Sequence, residues 1–340
     1  VLVLKWGLER NVAKIKKYSP NMIIKRYSIY ILNVFLSVHL LSQEKITFSS
    51  ANPFGFRDII TNLDDLRTQE VYGILKTPNG DGPFPLVIGV AGSLDWAEHH
   101  LEYMEMYRSM GIATFELQSF ASRQVQSTVG SQVEVTTAMM VLDAYRALEI
   151  LARLPQIDKA RVAITGWSLG GGVALFSGWQ PAVEKITHEV QFAAHLSIYP
   201  PCIVEPEVLN FTDAPMHILI GELDNWVPAA ACQELVPKIQ AAGANIDLTV
   251  FSDAHHSFDR ITPIAIKENG YKLEDCRFKM SEDGAVLMNF FNIPMTTPFR
   301  QKLALAMCAE RGPTMGGNLQ ARQASFDLAR KFMGKHLLGN

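Results

Sequence analysis

The sequence predicts an α/β protein built on a mostly parallel central sheet with helices on both faces. Two observations carry this expectation. Short continuous apolar runs such as LVIGVAG (Leu86–Gly92) have the length and composition of buried strands, and stretches with apolar residues at helical spacing lie between them. Strands that alternate with helices of ten or more residues need crossover connections, which favour parallel pairing and a sheet covered on both sides.

The first strand signal is EVYGILKTP, which alternates and stops at Pro78, and NGDGPFP is a turn. LVIGVAG is the next strand. WAEHHLEYMEMYRSMG is helical in composition, with Gly111 as its stop. IATFELQ is a strand, QVEVTTAMMVLDAYRALEILARLP a helix ending at Pro155, and RVAITGW a strand that feeds the helix containing Gly171–Phe176. FAAHLSIYP and MHILIGELD read as strands and PAAACQELVPKIQAAG as a helix, despite Pro237. IDLTVFSDAHHSF is the last strand with its loop. Residues 260 to about 316 are less periodic, and NLQARQASFDLARKFMGKHLL closes the chain as an amphipathic helix.

The chain divides into residues 1–42, a basic extension with an apolar segment, and 43–340, a single α/β domain elaborated from about residue 260. Its 340 residues are 48% hydrophobic with a net charge of −3, enough for a large core and without the basic field that nucleic acid would need. Val1–Arg26 holds seven Lys/Arg and one acid, Glu9, ahead of the apolar YSIYILNVFLSVHLLSQ. That run is shorter than the roughly 20 residues of a membrane span and suits a secretory signal, with Met22 at its natural start and cleavage after Ser42. The expectation is a periplasmic or secreted protein with no integral membrane domain. A cytoplasmic or membrane-anchored protein is the alternative. Beyond this segment lie four cysteines, none in a C-x-x-C pair, so metal and thioredoxin-like readings are disfavoured; two disulfides and four buried thiols both remain open.

The chemistry centres on AITGWSLGGGVALFSG. Ser168 stands in Gly-x-Ser-x-Gly between a strand and a helix, the setting of a nucleophile elbow. Leu169 N–H, at the helix N-terminus, is then a ready oxyanion donor. An acid comes next, in ILIGELDNWVP: Asp224 lies just past a strand, with Glu222 as competitor. A base comes after it in TVFSDAHHSFD, at His255 or His256. The order Ser…Asp…His, each after a strand, is that of α/β-hydrolases, so the expected architecture is the α/β-hydrolase fold. The second oxyanion donor falls at Ser93, in the loop after LVIGVAG. Arg123 could hold a substrate carboxylate or form a structural ion pair. Trp167 and Trp226 flank nucleophile and acid, and either could line an acyl pocket or pack in the core. Glu98, His99 and His100 lack metal-like spacing and read as an exposed helix face.

The segments GWSLGG, GELDNWVP and the A-x-H-x-F of AHHSF, together with QSFASR and the helix leading into GWS, resemble the dienelactone hydrolase family over residues 60 to 335. The resemblance implies Ser168, Asp224 and His256 as the triad. The namesake enzymes carry Cys where Ser168 stands here, so ester or lactone hydrolysis is implied without dienelactone itself. YPPC, PAAAC, DCRF and MCAERG resemble landmarks of an exported branch, which implies the pairs Cys202–Cys232 and Cys276–Cys308. The expectation is a carboxylic ester hydrolase acting on a small ester or lactone, with no metal or organic cofactor. Peptidase, acyltransferase and non-catalytic binding protein are the alternatives, and oligomeric state is not readable.

Overall fold

The computed structural model describes residues 43–339. The signal segment expected within residues 1–42 lies outside the described residues. The chain then runs β1 (Gln43–Ala51), α1 (Phe56–Asn62), β2 (Thr68–Lys76), β3 (Phe84–Val90), α2 (Glu98–Ser109), β4 (Ala113–Leu117) and the short turn α3 (Ser119–Ser122). It continues through α4 (Thr137–Leu151), β5 (Ile157–Trp167), α5 (Leu169–Phe176), α6 (Gln180–Ile186), β6 (Ala194–Ile198), β7 (Val204–Pro206), β8 (Met216–Gly221), α7 (Ala229–Ala241) and β9 (Ile246–Phe251).

Eight strands form the main sheet in the order β1-β2-β4-β3-β5-β6-β8-β9. The six from β4 to β9 are mutually parallel, and β2 alone runs against them, pairing antiparallel with both β1 and β4. The central strands are buried on both faces: every residue of β4 and β6 is buried, as are Val162–Trp167 of β5. Helices α4 and α5 pack on one another, and α2 packs on α9 (Leu319–Met333), giving two helical groups against the sheet. The mostly parallel, helix-covered sheet expected from the alternation is observed, and with it the α/β-hydrolase architecture expected from the Ser…Asp…His order.

Local differences have local causes. QVEVT does not join α4: the Thr136 hydroxyl accepts from Met139 N–H and caps the helix there, so the preceding residues stay extended or turned. β1 gave no apolar signal because as an edge strand it is largely exposed, with burial confined to Phe48 and Ser50–Ala51.

The aperiodic stretch is a scaffold of small pieces. It holds β10 (Ala265–Ile266), β11 (Tyr271–Lys272), β12 (Phe278–Met280), β13 (Val286–Leu287), α8 (Pro298–Cys308), β14 (Glu310–Arg311) and β15 (Thr314–Met315). β12 pairs with β13 and, in parallel, with β7, so this tail is stitched to the loop beyond β6. Two disulfides join Cys202 to Cys232 and Cys276 to Cys308, the pairing the resemblance implies, and none of the four thiols is free. The first bridge ties the β6 exit to α7 and the second ties the β12 approach to the end of α8.

Candidate active site

Strand register assembles the site. Val90 of β3 lies opposite Gly166 of β5, Gly166 opposite Ser197 of β6, and Gly221 of β8 opposite Phe251 of β9. The carboxyl ends are therefore level, and the loops leaving them meet in one crevice, which collects Gly92–Ser93, Ser168, Tyr199, Asp224 and His256.

Ser168 sits at φ 56°, ψ −114°, a left-handed conformation that a side chain rarely adopts. Its N–H donates to Ile198 O at 2.9 Å, and its own carbonyl takes the first α5 bond, from Gly172 N–H. The turn closes so tightly that a Cβ on Gly166 would fall 2.0 Å from Gly170 O, and one on Gly170 would fall 2.1 Å from Val90 O. Only glycine fits at either place, which is the physical content of the Gly-x-Ser-x-Gly spacing.

His256 Nε2 lies 3.0 Å from Ser168 Oγ, and its Nδ1 lies 2.7 Å from Asp224 Oδ2. Asp224 Oδ1 accepts from the N–H groups of Trp226 and Val227 at 3.0 and 2.9 Å, so the carboxylate is fixed by the turn that opens α7. Both Asp224 and His256 are buried. The imidazole is held between the Tyr199 ring edge, 4.8 Å away, and the tilted Trp226 indole, 5.0 Å away. Behind it, Gly316 N–H donates to His256 O at 3.0 Å, so the tail pins the histidine loop.

Leu169 N–H opens α5 and has no carbonyl within the helix to bond. A Cβ on Gly92 would lie 3.5 Å from Ser168 Cβ, which puts the Gly92–Ser93 backbone beside the hydroxyl. The cleft is narrow, with an empty volume of about 310 Å³, and its lining includes Ser93, His100, Ser168, Trp226, His256 and Arg260.

Other sequence-derived candidates fall elsewhere. Glu222 is exposed and accepts from Asp253 N–H. His255 Nδ1 contacts Thr314 Oγ1 at 2.8 Å and does not line the cleft. Arg123 lies outside the cleft lining in the structural ion pair: its guanidinium bonds both Asp143 oxygens, at 2.7 and 3.0 Å, and its remaining donors reach Asn52, Ser119 O and Ala51 O. Trp167 does not line the cleft either, being fully buried and stacked on His100 with ring centroids 4.5 Å apart. Of the α2 trio only Glu98 is exposed; His99 and His100 point inward, correcting the exposed-face reading.

Sequence reasoning missed a polar group behind the cleft. Asp259 is wholly buried, accepts from Tyr199 OH at 2.9 Å, and is pushed up to about 7 by burial. His99 Nε2 lies 3.6 Å from it, but burial above all, with His100 and nearby arginines adding, holds that imidazole far below its ordinary range. The contact is therefore not an ion pair at neutral pH. Burial likewise keeps His100 neutral, and Asp95 in the cleft wall is raised by burial. Arg260 Nε is buried with no hydrogen-bond partner among the described residues, leaving a cation in the cleft wall. Its only sequence signal was its position four residues beyond His256.

No curated protein matches this chain. Among solved structures, a dienelactone hydrolase-like promiscuous phosphotriesterase from metagenomic libraries is similar in fold, with 13% identity and a TM-score of 0.52. The match covers 87% of this chain and 99% of that one. A protein named m3DLH is similar with 13% identity and a TM-score of 0.55, over the same shares of both chains. The dienelactone hydrolase family model matches residues 105–280, more than half of the sequence and the span that holds Ser168, Asp224 and His256. The chain belongs to the dienelactone hydrolase family of α/β hydrolases.

Proposed function

We propose that this hydrolase cleaves carboxylic esters, lactones included, with Ser168 as nucleophile, His256 as general base and acid, and Asp224 as the group that orients His256. The observation that carries the reading is the unbroken contact from Ser168 Oγ through both imidazole nitrogens to a carboxylate held by two backbone N–H groups. Ser168 Oγ adds to the carbonyl carbon as its proton passes to His256 Nε2. The carbonyl oxygen becomes an oxyanion facing the Leu169 and Ser93 N–H groups, each such donor being worth about 2.7–4 kcal/mol. Collapse expels the alcohol, which takes the proton from His256. Water, deprotonated by His256 in turn, attacks the acyl-enzyme and releases the acid. Asp224 keeps the Nδ1–H tautomer and stabilises the imidazolium in both steps. Arg260 adds a preference for an anionic substituent near the scissile bond.

The bridges Cys202–Cys232 and Cys276–Cys308 suit an oxidising compartment, and no helix among the described residues is long and apolar enough to cross a membrane. With the basic and then apolar N-terminal sequence, these features support a mature protein in the periplasm or outside the cell.

Ser168→Ala should abolish p-nitrophenyl acetate hydrolysis and labelling by a fluorophosphonate probe, with the circular dichroism spectrum unchanged. A folded variant that keeps most of its activity refutes the nucleophile assignment. A panel of esters, thioesters and peptide amides separates the ester reading from a peptidase or acyltransferase on the same three residues.

A further inference from the structure

A second, larger cavity lies on the other side of Leu169 from the catalytic cleft. Its empty volume, about 1190 Å³ including the part open to solvent, is nearly four times the 310 Å³ of the catalytic cleft. Its walls come from the start of α1, the start of α4, α5, the exit of β6 and the tail from Leu273 to Leu305, and they are mostly apolar. Phe56, Phe176, Ile203, Phe278, Met295 and Leu305 represent each part except α4, and all six are buried.

Two residues connect this chamber to the surroundings of the nucleophile. Leu169 lines it and begins α5 directly after Ser168. Gln132 also lines it, and its side-chain oxygen accepts from Ser93 Oγ, a cleft residue, at a long 3.4 Å. The backbone carbonyl of Gln132 accepts from Gln301 of α8 at 2.7 Å, which joins this residue to the roof. The chamber and the cleft share no lining residue, and their link runs through Leu169, next in sequence to Ser168, and through Gln132, bonded to Ser93.

Resting on the ester-hydrolase reading, we infer that this chamber receives the aliphatic acyl chain of the substrate, so that the enzyme prefers medium- to long-chain acyl esters to acetates. The geometry assigns the acyl side. The departing alcohol takes its proton from His256 and so leaves on that side. The acyl group stays bonded to Ser168 Oγ, with its oxygen towards Leu169 N–H, through both chemical steps. Its chain extends past the Leu169 and Gln132 side chains, and the weak Ser93 contact lets Gln132 swing aside. An apolar wall of this size gains from each methylene removed from water, whereas the narrow catalytic cleft holds little more than the reacting atoms. The roof helix α8 also carries Phe299, Leu303 and Met307 exposed on its outer face, so the cover is apolar on both sides.

The test uses p-nitrophenyl esters from acetate to dodecanoate, so that the alcohol never changes. Val286 lines the chamber, half-buried and absent from the lining of the catalytic cleft, and Val286→Trp fills that space. Wild-type kcat/KM should rise about tenfold or more from acetate to decanoate. Val286→Trp should remove that rise while leaving acetate hydrolysis within about twofold, which also reports correct folding. A binding measurement needs no chamber mutation: decanoate should displace the fluorophore 1-anilinonaphthalene-8-sulfonate from the Ser168→Ala protein. A flat chain-length profile, or decanoate that fails to displace the fluorophore, overturns the chamber. Failure of the ester reading shows itself separately, as hydrolysis that does not depend on Ser168 at any chain length.

Discussion

The catalytic end of the sheet and the tail that roofs the chamber are built on different physical terms. At the sheet end, six parallel strands with level carboxyl ends present Ser168 directly after β5 and Asp224 and His256 a few residues beyond β8 and β9, and the bonds fixing Ser168 and Asp224 come from the backbone. The tail has strands of two or three residues, one helix of three turns and a covalent bridge across its span. A region with little regular pairing cannot rely on its own ladders, so it leans on β7, on a disulfide and on the apolar chamber it encloses. On the proposed reading, chemistry and chain-length selectivity are separately supported, so that each should be open to disturbance while the other stands.

The largest effect should come from the sheet end. His256→Ala should lower kcat by roughly 10⁴-fold or more, since removing one member of such a triad disables the whole unit. His255→Ala should cost about tenfold or less, because His255 contacts Thr314 and not the reacting atoms. Measuring kcat for both variants on one ester at pH 8 decides which histidine is the base, and a reversed ranking moves it to His255.

A stability effect comes next. Arg123→Ala leaves Asp143 fully buried with its charge uncompensated except by the Ser50 and Ser119 hydroxyls, a loss of about 3–5 kcal/mol. Urea denaturation should show that loss while the folded variant keeps its KM. A KM that rises with stability intact would restore Arg123 as a substrate ligand.

Opening the tail bridge is the test that sharpens the comparison. Replacing Cys276 and Cys308 by Ala should cost about 2–4 kcal/mol. It should also blunt decanoate hydrolysis far more than acetate hydrolysis. Equal losses on both esters would mean that tail and sheet end act as one unit.

The smallest effect is a pH dependence. Burial raises Asp259 from 3.8 to about 7, so between these values the folded state holds a proton that the unfolded chain has released. Stability from this group is present below about pH 4 and is lost as pH rises towards 7. Burial lowers His195 to about 4, which acts in the opposite sense: its contribution is present above pH 6.5 and lost as pH falls through 4. The difference between wild type and Asp259→Asn isolates the carboxyl. The variant should gain on the wild type by on the order of 2–3 kcal/mol between pH 5 and pH 8, read from urea midpoints. No relative gain would mean that Asp259 is ionised in the fold at pH 5.

What the sequence disclosed divides along the same line. LVIGVAG, RVAITGW and FAAHLSIYP were legible because strands buried on both faces are apolar throughout, and the Ser168 elbow because its glycines answer to contacts within a few residues. α8 was not legible, since PFRQKLALAMC is apolar towards the chamber and towards the outside, and no polar face marks its period. The chamber was invisible for another reason. Its wall joins Phe54, Leu169 and Leu305, residues that only the tertiary fold brings together. His99 and His100 read as solvent-facing because two adjacent histidines near a helix start look polar. The structure buries both beneath Trp167 and Tyr199, where their neutral rings behave as packing.

The hydrogen bond from Gly316 to the His256 carbonyl has a consequence for the order in which the protein becomes active. All three proposed catalytic residues have been translated once residue 256 is added, yet the segment that clasps the histidine loop comes last, together with β15 and its Met315 contact. A chain ending before residue 316 would carry the whole set of reactive groups without the clasp that holds the proposed base. In a protein exported before it folds, the docking of this late segment would set the moment at which the His256 loop is held.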